Sequence, residues 1–165
     1  MPELPEVETV KRGVSPWLTG RKITGATVRI EKLRWPIAPE LKSLQGALIQ
    51  RVHRRAKYLL IDTDAGHRIY HRGMSGSRRI IQQEEPPTAH DHVDVLLDDG
   101  RAMRFNDPRR FGMVLWCQSG TLEQHQLLAS LGPEPFDESF TAEYLHALSR
   151  SRRSAIKNFI MDGHI

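Results

Sequence analysis

Leu4, Val7, Val10 and Val14 fall three or four residues apart, the spacing of one apolar face on a helix. That spacing predicts an amphipathic helix from about residue 3, stopping near Gly13, where glycine can supply the C-cap. The period then changes. Residues 22–31 (KITGATVRIE) combine β-branched side chains with partial alternation and read as a strand. Trp35-Pro36 and Pro39 mark a loop, and residues 40–44 a short helical turn. Residues 47–62 read as one long strand or a bent pair, and 67–74 and 77–82 as two more strands around a Gly-Met-Ser-Gly loop. A polar, Pro-rich loop follows at 83–89. Residues 92–97 and 101–105 flank Asp98-Asp99-Gly100, a strong hairpin signal. Asn106-Asp107-Pro108 breaks the second of these, and 111–116 (FGMVLW) begins another strand. Roughly seven strands with turn signals between them predict an antiparallel sandwich or barrel.

After Gly120 the pattern turns helical. Residues 121–131 predict a short helix ended by Gly132-Pro133, and Thr141 caps a second through about residue 148. Ser154 is placed to cap a third, carrying Ile156, Phe159 and Ile160 on its apolar side. The change of period divides the chain into a β domain, 1–120, and a helical segment, 121–165. The last apolar stripe has no following element to cover it, so the chain is expected to be part of a longer one. There are no internal repeats.

Composition narrows the class. With 165 residues, 39% hydrophobic and 27% charged, the chain can bury one good core. No apolar run approaches a membrane span, and the acidic N-terminus lacks the basic and apolar regions of a secretory signal. Cys117 is the single cysteine, which excludes an internal disulfide and any multi-cysteine metal site. A cytoplasmic location is expected. Net charge is +4, unevenly spread: residues 150–165 carry four basic side chains against one acidic, leaving 20 and 19 in the first 149. Basic residues cluster at 51–57, 72–79, 109–110 and 150–157, which suits a polyanion-binding face as well as it suits solvated strands and helix ends.

The N-terminus can carry chemistry. Trimming Met1 would leave Pro2 with a free secondary amine, and an α-amino group titrating near ~8 is partly nucleophilic at neutral pH. Glu3 follows it with a carboxyl able to pass protons. The same residues also make an ordinary helix start, since Pro and acidic side chains favour a first turn. Retained Met1 would make the Pro2 nitrogen an amide and exclude the chemistry. Arg54–Leu60 (RRAKYLL) read as a strand puts Arg55 and Lys57 on one face and Tyr58 and Leu60 on the other, either a charged edge or a site. His90 and His92 would share a strand face, but no third and fourth ligand at convincing spacing accompany them, so no metal is expected. Residues 107–112 (DPRRFG) form a Pro-led turn that either tucks Phe111 into the core or pushes it outward with Arg109, as a base-stack wedge requires.

Several of these motifs, in order, resemble formamidopyrimidine-DNA glycosylases, bacterial enzymes that remove oxidised purines from DNA. PELPEVETV is similar to their N-terminus, whereas the related endonuclease VIII enzymes share Pro-Glu but lack the Leu-Pro that follows. RRAKYLL resembles the segment whose lysine touches the phosphate beside the lesion and moves protons during strand cleavage, which gives Lys57. HRGMSG resembles the HLGMSG loop, with Arg72 where Leu is usual. Its matching positions imply that His71 contacts the DNA backbone and that Met74 fills the gap left by the extruded base. HDHVD implies a DNA contact for His90, and DPRRFG assigns Arg109 and Phe111 to the void-filling trio with Met74. Residues 152–157 resemble the start of a helix–two-turns–helix element, implying phosphate contacts from Arg152 and Lys157.

The resemblance implies a mainly β fold with flanking helices: a two-sheet antiparallel sandwich with an N-terminal helix, then the start of a helical DNA-binding domain. It implies a monomer acting in the bacterial cytoplasm, by the nucleoid, on double-stranded DNA with damaged bases or abasic sites. Pro2 would form a Schiff base at C1′, Glu3 would protonate the opening sugar, and β- and δ-elimination would follow. Glu6, buried near the amine in the family, is a secondary candidate. The remaining helices, a phosphate-pinning asparagine, the lesion-covering loop, an arginine linked with δ-elimination and a four-cysteine zinc finger would lie beyond Ile165. No cofactor is therefore expected within this chain, and activity is expected to be impaired. Three alternatives stay open: an inert DNA-binding or structural fragment, a pyrimidine-preferring endonuclease VIII-like glycosylase, and an enzyme using Pro2 as a general base, as tautomerases do.

Overall fold

A computed structural model describes residues 3–165, which divide after Leu122 into two compact units. The first begins with α1 (Leu4–Leu18), started by a capping box in which the Glu3 N–H donates to Glu6 Oε2 at 3.0 Å. The helix runs past Gly13, where a stop was expected. Gly13 lies on the exposed side with no neighbour, while Val7, Val14 and Leu18 continue the buried stripe. The turn comes at Gly20, in the left-handed region at φ +81°.

Eight strands follow: β1 (Ile23–Val28), β2 (Ile49–Arg55), β3 (Tyr58–Thr63), β4 (Gly66–His71), β5 (Ser77–Gln82), β6 (Asp91–Leu97), β7 (Arg101–Asn106) and β8 (Met113–Gln118). They form two four-stranded antiparallel sheets, ordered β1-β6-β7-β5 and β2-β3-β4-β8. The sandwich is therefore the outcome of the sandwich-or-barrel expectation. Leu59, Ile61, Tyr70 and Val114 of one sheet meet Val93, Val95, Met103 and Phe105 of the other, and α1 closes the layer with Val7, Val14 and Leu18. Residues 72–76 carry the chain from β4 in one sheet to β5 in the other, and 107–112 return it from β7 to β8.

On the opposite face of the first sheet, Arg104 and Asp94 sit directly across β6 and β7. Both are buried, and Arg104 donates from Nε and Nη2 to the two Asp94 oxygens at 2.9 Å. Arg29 adds a 2.6 Å bond to Asp94, and Arg104 also donates to the carbonyls of Glu85 and Pro86. This pins the Pro-rich loop that precedes His90 onto the sheet.

Residues 47–62 are a hairpin, not one strand, and Ala56-Lys57 is its two-residue tip. Lys57 thus shares no strand face with Arg55. The tip needs a left-handed residue, supplied by Ala56 at φ +46°. Because that conformation strains any residue with a Cβ, Ala56→Gly is expected to raise stability by about 1 kcal/mol, seen as a higher urea midpoint.

In the second unit the expected helix over 121–131 is absent; only Leu122–Gln124, at the junction, make a 3₁₀ turn, and the bonds that follow close single turns. α2 (Ala142–Ser149) is capped by Thr141, whose Oγ1 accepts from the Tyr144 N–H at 3.1 Å. α3 (Ile156–Ile160) starts from Ala155, one residue beyond the Ser154 expected as its cap, and buries Phe159 but not Ile156 or Ile160. Among the described residues no helix is long and apolar enough to cross a membrane.

Candidate nucleic-acid interface

Pro2 lies outside the described residues. Glu3 and Glu6 are both exposed at the start of α1, so the burial implied for Glu6 does not hold: its carboxylate is engaged in solvent by the Glu3 N–H. One turn on, Glu8 accepts from Lys11 and Arg12 at 2.8 Å and from Arg54 at 3.4 Å. These donors, Lys11 foremost, hold its carboxyl down to about 2. Arg54 also donates to the Ala56 carbonyl at 3.2 Å, which ties the hairpin tip carrying half-buried Lys57 to α1.

His71 ends β4, buried, its ring 5.3 Å from that of Tyr58. Burial, then the positive charges of Arg78, Arg34 and Lys57, push its pKa down to about 4, so the ring is neutral at pH 7. The Gly73 N–H donates to Nδ1 at 3.1 Å, which leaves the ring proton on Nε2. A neutral Nε2–H donor can bind a phosphate oxygen without titrating near neutrality.

Gly73 has φ +66°, and a Cβ there would lie 2.5 Å from the main chain of Phe111 and Gly112. Only glycine lets the two loops lie backbone to backbone. Met74 is 52% exposed and Phe111 45%, which excludes the reading of Phe111 as a core residue. The Arg109 guanidinium sits 5.0 Å from the Phe111 ring centroid. An apolar pair and a cation are thus presented together, the combination that unstacks a base step and pairs with what remains.

His90 is exposed in the turn before β6, and its carbonyl accepts from the Asp107 N–H at 2.9 Å. It shares no strand face with His92, whose buried Nε2 bonds the Asp107 carbonyl instead. Arg152 and Lys157 are exposed in the second unit; the Arg152 guanidinium pairs with Asp162 at 4.0 Å, a contact of little worth in water. Sequence reasoning missed Arg34, whose charge reaches both His71 and Tyr58, and Arg78, stacked between Tyr70 and Phe105. It also missed Ser75 and Asp107. Arg78 lay in a basic run, and Ser75 and Asp107 in the HRGMSG and DPRRFG motifs; only Arg34 had no such neighbour.

Residues 1–114 match the model of the formamidopyrimidine-DNA glycosylase N-terminal domain. The chain is 58% identical over 164 residues to the formamidopyrimidine-DNA glycosylase of Xanthomonas campestris pv. campestris (strain B100), covering 98% of this chain and 60% of that protein. The same-named protein of Syntrophotalea carbinolica is 55% identical, covering 100% of this chain and 61% of its own. Among solved structures, the Lactococcus lactis formamidopyrimidine-DNA glycosylase bound to DNA containing an abasic site superposes with a TM-score of 0.89 at 29% identity, over 99% of this chain and 63% of that one. Its complex with FAPY-dG-containing DNA gives 0.88 at 28%, over 98% and 62%. The chain thus spans about 60% of the length of the curated relatives it matches. The domain match, the identity along nearly its whole length and the shared sandwich make this chain a member of the formamidopyrimidine-DNA glycosylase family.

Proposed function

We propose that the chain supplies the catalytic half of a base-excision DNA glycosylase and abasic-site lyase for oxidised purines such as 8-oxoguanine and formamidopyrimidines, acting in the bacterial cytoplasm. The observation that carries this reading is the joint exposure of Met74, Phe111 and Arg109 on two touching loops beside His71. The wedge takes the place of an extruded base, since the reacting C1′ atom is out of reach while the base is stacked. Lys57, His71 and His90 hold backbone phosphates, and Arg152 and Lys157 add charge from the second unit, positioning the duplex without reading its sequence.

Pro2, freed of Met1, attacks C1′ with its nitrogen lone pair. The glycosidic bond breaks and the base leaves with its electron pair, taking up a proton. Glu3 protonates the ring oxygen as the sugar opens to an iminium. Loss of a C2′ proton then expels the 3′ phosphate, and a second elimination expels the 5′ phosphate, with Lys57 shuttling protons.

Borohydride trapping tests this on duplexes carrying 8-oxoguanine opposite cytosine or an abasic site. Protein shown by mass to lack Met1 is expected to yield an adduct mapped to Pro2 on both. An adduct on the abasic duplex alone would mean that lyase chemistry is present without lesion recognition. No adduct on either duplex overturns the reading and leaves an inert domain.

A further inference from the structure

We infer that Ser75 and Asp107 form a clasp that locks the Met74 loop and the Arg109–Phe111 loop into one preformed wedge, and that both are positioning residues for base extrusion. The inference rests on the glycosylase reading for its function, but the clasp itself is a property of the free protein.

Asp107 is fully buried and each of its polar groups is hydrogen-bonded, one of them across to the other loop. Its Oδ1 accepts from Ser75 Oγ at 2.7 Å and its Oδ2 from the Gly112 N–H at 2.7 Å. Its own N–H donates to the His90 carbonyl, and its carbonyl bonds His92 Nε2. Ser75 Oγ completes the link by accepting from the Arg109 N–H at 3.2 Å. One carboxylate and one hydroxyl therefore connect the residue after Met74, the residue after Phe111 and the amide of Arg109.

The conformation being held is a strained one. Arg110 sits at φ +54°, in the left-handed region that a side chain disfavours. The Arg109 and Gly112 amides on either side of it are the two that the clasp binds. Such strain persists only where its surroundings over-determine it, and it gathers at binding and catalytic sites. The base of the other loop is closed separately: Arg72 Nε donates to the Gly76 carbonyl at 2.6 Å and the Gly76 N–H returns to the Arg72 carbonyl at 3.0 Å. The Met74 loop is thus shut at its root by Arg72 and fastened to its partner by Ser75. A wedge assembled before DNA arrives spends no ordering entropy on insertion.

Ser75→Ala removes both hydroxyl bonds at a half-buried position, and Ser75→Thr keeps the hydroxyl. In the free protein, amide exchange at Arg109 and Gly112 is expected to quicken about tenfold in Ser75→Ala, the effect of one lost hydrogen bond on local opening, and to return in Ser75→Thr. Acceleration confined to residues 73–76 overturns the clasp. In borohydride trapping, Ser75→Ala is expected to slow adduct formation on the 8-oxoguanine duplex about tenfold while staying within about twofold of wild type on the abasic duplex, where no base needs extruding. Equal rates for Ser75→Ala and wild type on both duplexes overturn the positioning role. A wild-type chain that traps neither duplex overturns the glycosylase reading and the positioning role with it, while the exchange result still decides the clasp.

Discussion

Arg104→Met is expected to lower the free energy of unfolding by about 3–5 kcal/mol, a large part of what a domain of this size has. Arg104 is 1% exposed and forms a two-pronged pair with Asp94. Burial alone would push the Asp94 carboxyl up, but the bonds from Arg104 and Arg29 win and hold it below the usual carboxylate range. Methionine fills similar space and removes the charge, which strands Asp94 on Arg29 alone and takes a cation 3.6 Å away from buried Asp91, which keeps its bonds from Thr88 and Asn106. It also releases the carbonyls of Glu85 and Pro86. A urea titration should show the midpoint falling with little change in slope. An unchanged midpoint would mean that the pair is replaceable by packing.

The second large effect is on pH. His71 has a folded pKa of about 4 against an ordinary 6.5, so between those values the unfolded chain binds a proton that the folded chain refuses. Stability therefore rises with pH through that window and is lost as pH falls, by about 2–3 kcal/mol from this group. Glu8, Asp62, Asp91 and Asp94 are also held low, and their contributions are lost in the same direction, but only below about pH 4.5, where such carboxylates protonate in the unfolded chain. His71→Asn keeps an acceptor for the Gly73 N–H and cannot titrate. Unfolding free energies at pH 6.5, 5.5 and 4.5 should fall for wild type and stay nearly level for the variant. Parallel slopes would refute the assignment.

What the sequence revealed depended on whether a local signal and a tertiary demand coincided. The Asp98–Gly100 hairpin was legible because Gly100 supplies the φ of +82° that the turn requires. The Lys57 tip was not, because Ala56 does the same work without a turn residue's signature. Gly13 misled for the converse reason: a glycine on the exposed side of a helix need not end it when Val14 and Leu18 are still being buried. Residues 121–131 have leucines at helical spacing, yet isolated turns that short do not nucleate a helix unaided. The wedge trio was found through resemblance, since residue types alone favoured Phe111 in the core. Ser75 and Asp107 both lay in noticed motifs, but nothing signalled their pairing: they meet across 32 residues through one side-chain bond, which no periodicity encodes.

The two loops of the wedge are crossovers between sheets, and this bears on how force travels. A tip at the end of a hairpin can bend back on its own two strands when pushed. Here the tip is strung between separate layers at both loops, so resistance from a stacked duplex must shear one sheet against the other. The interlocked side chains between those layers carry that load, and the sandwich works as the anvil behind the blade.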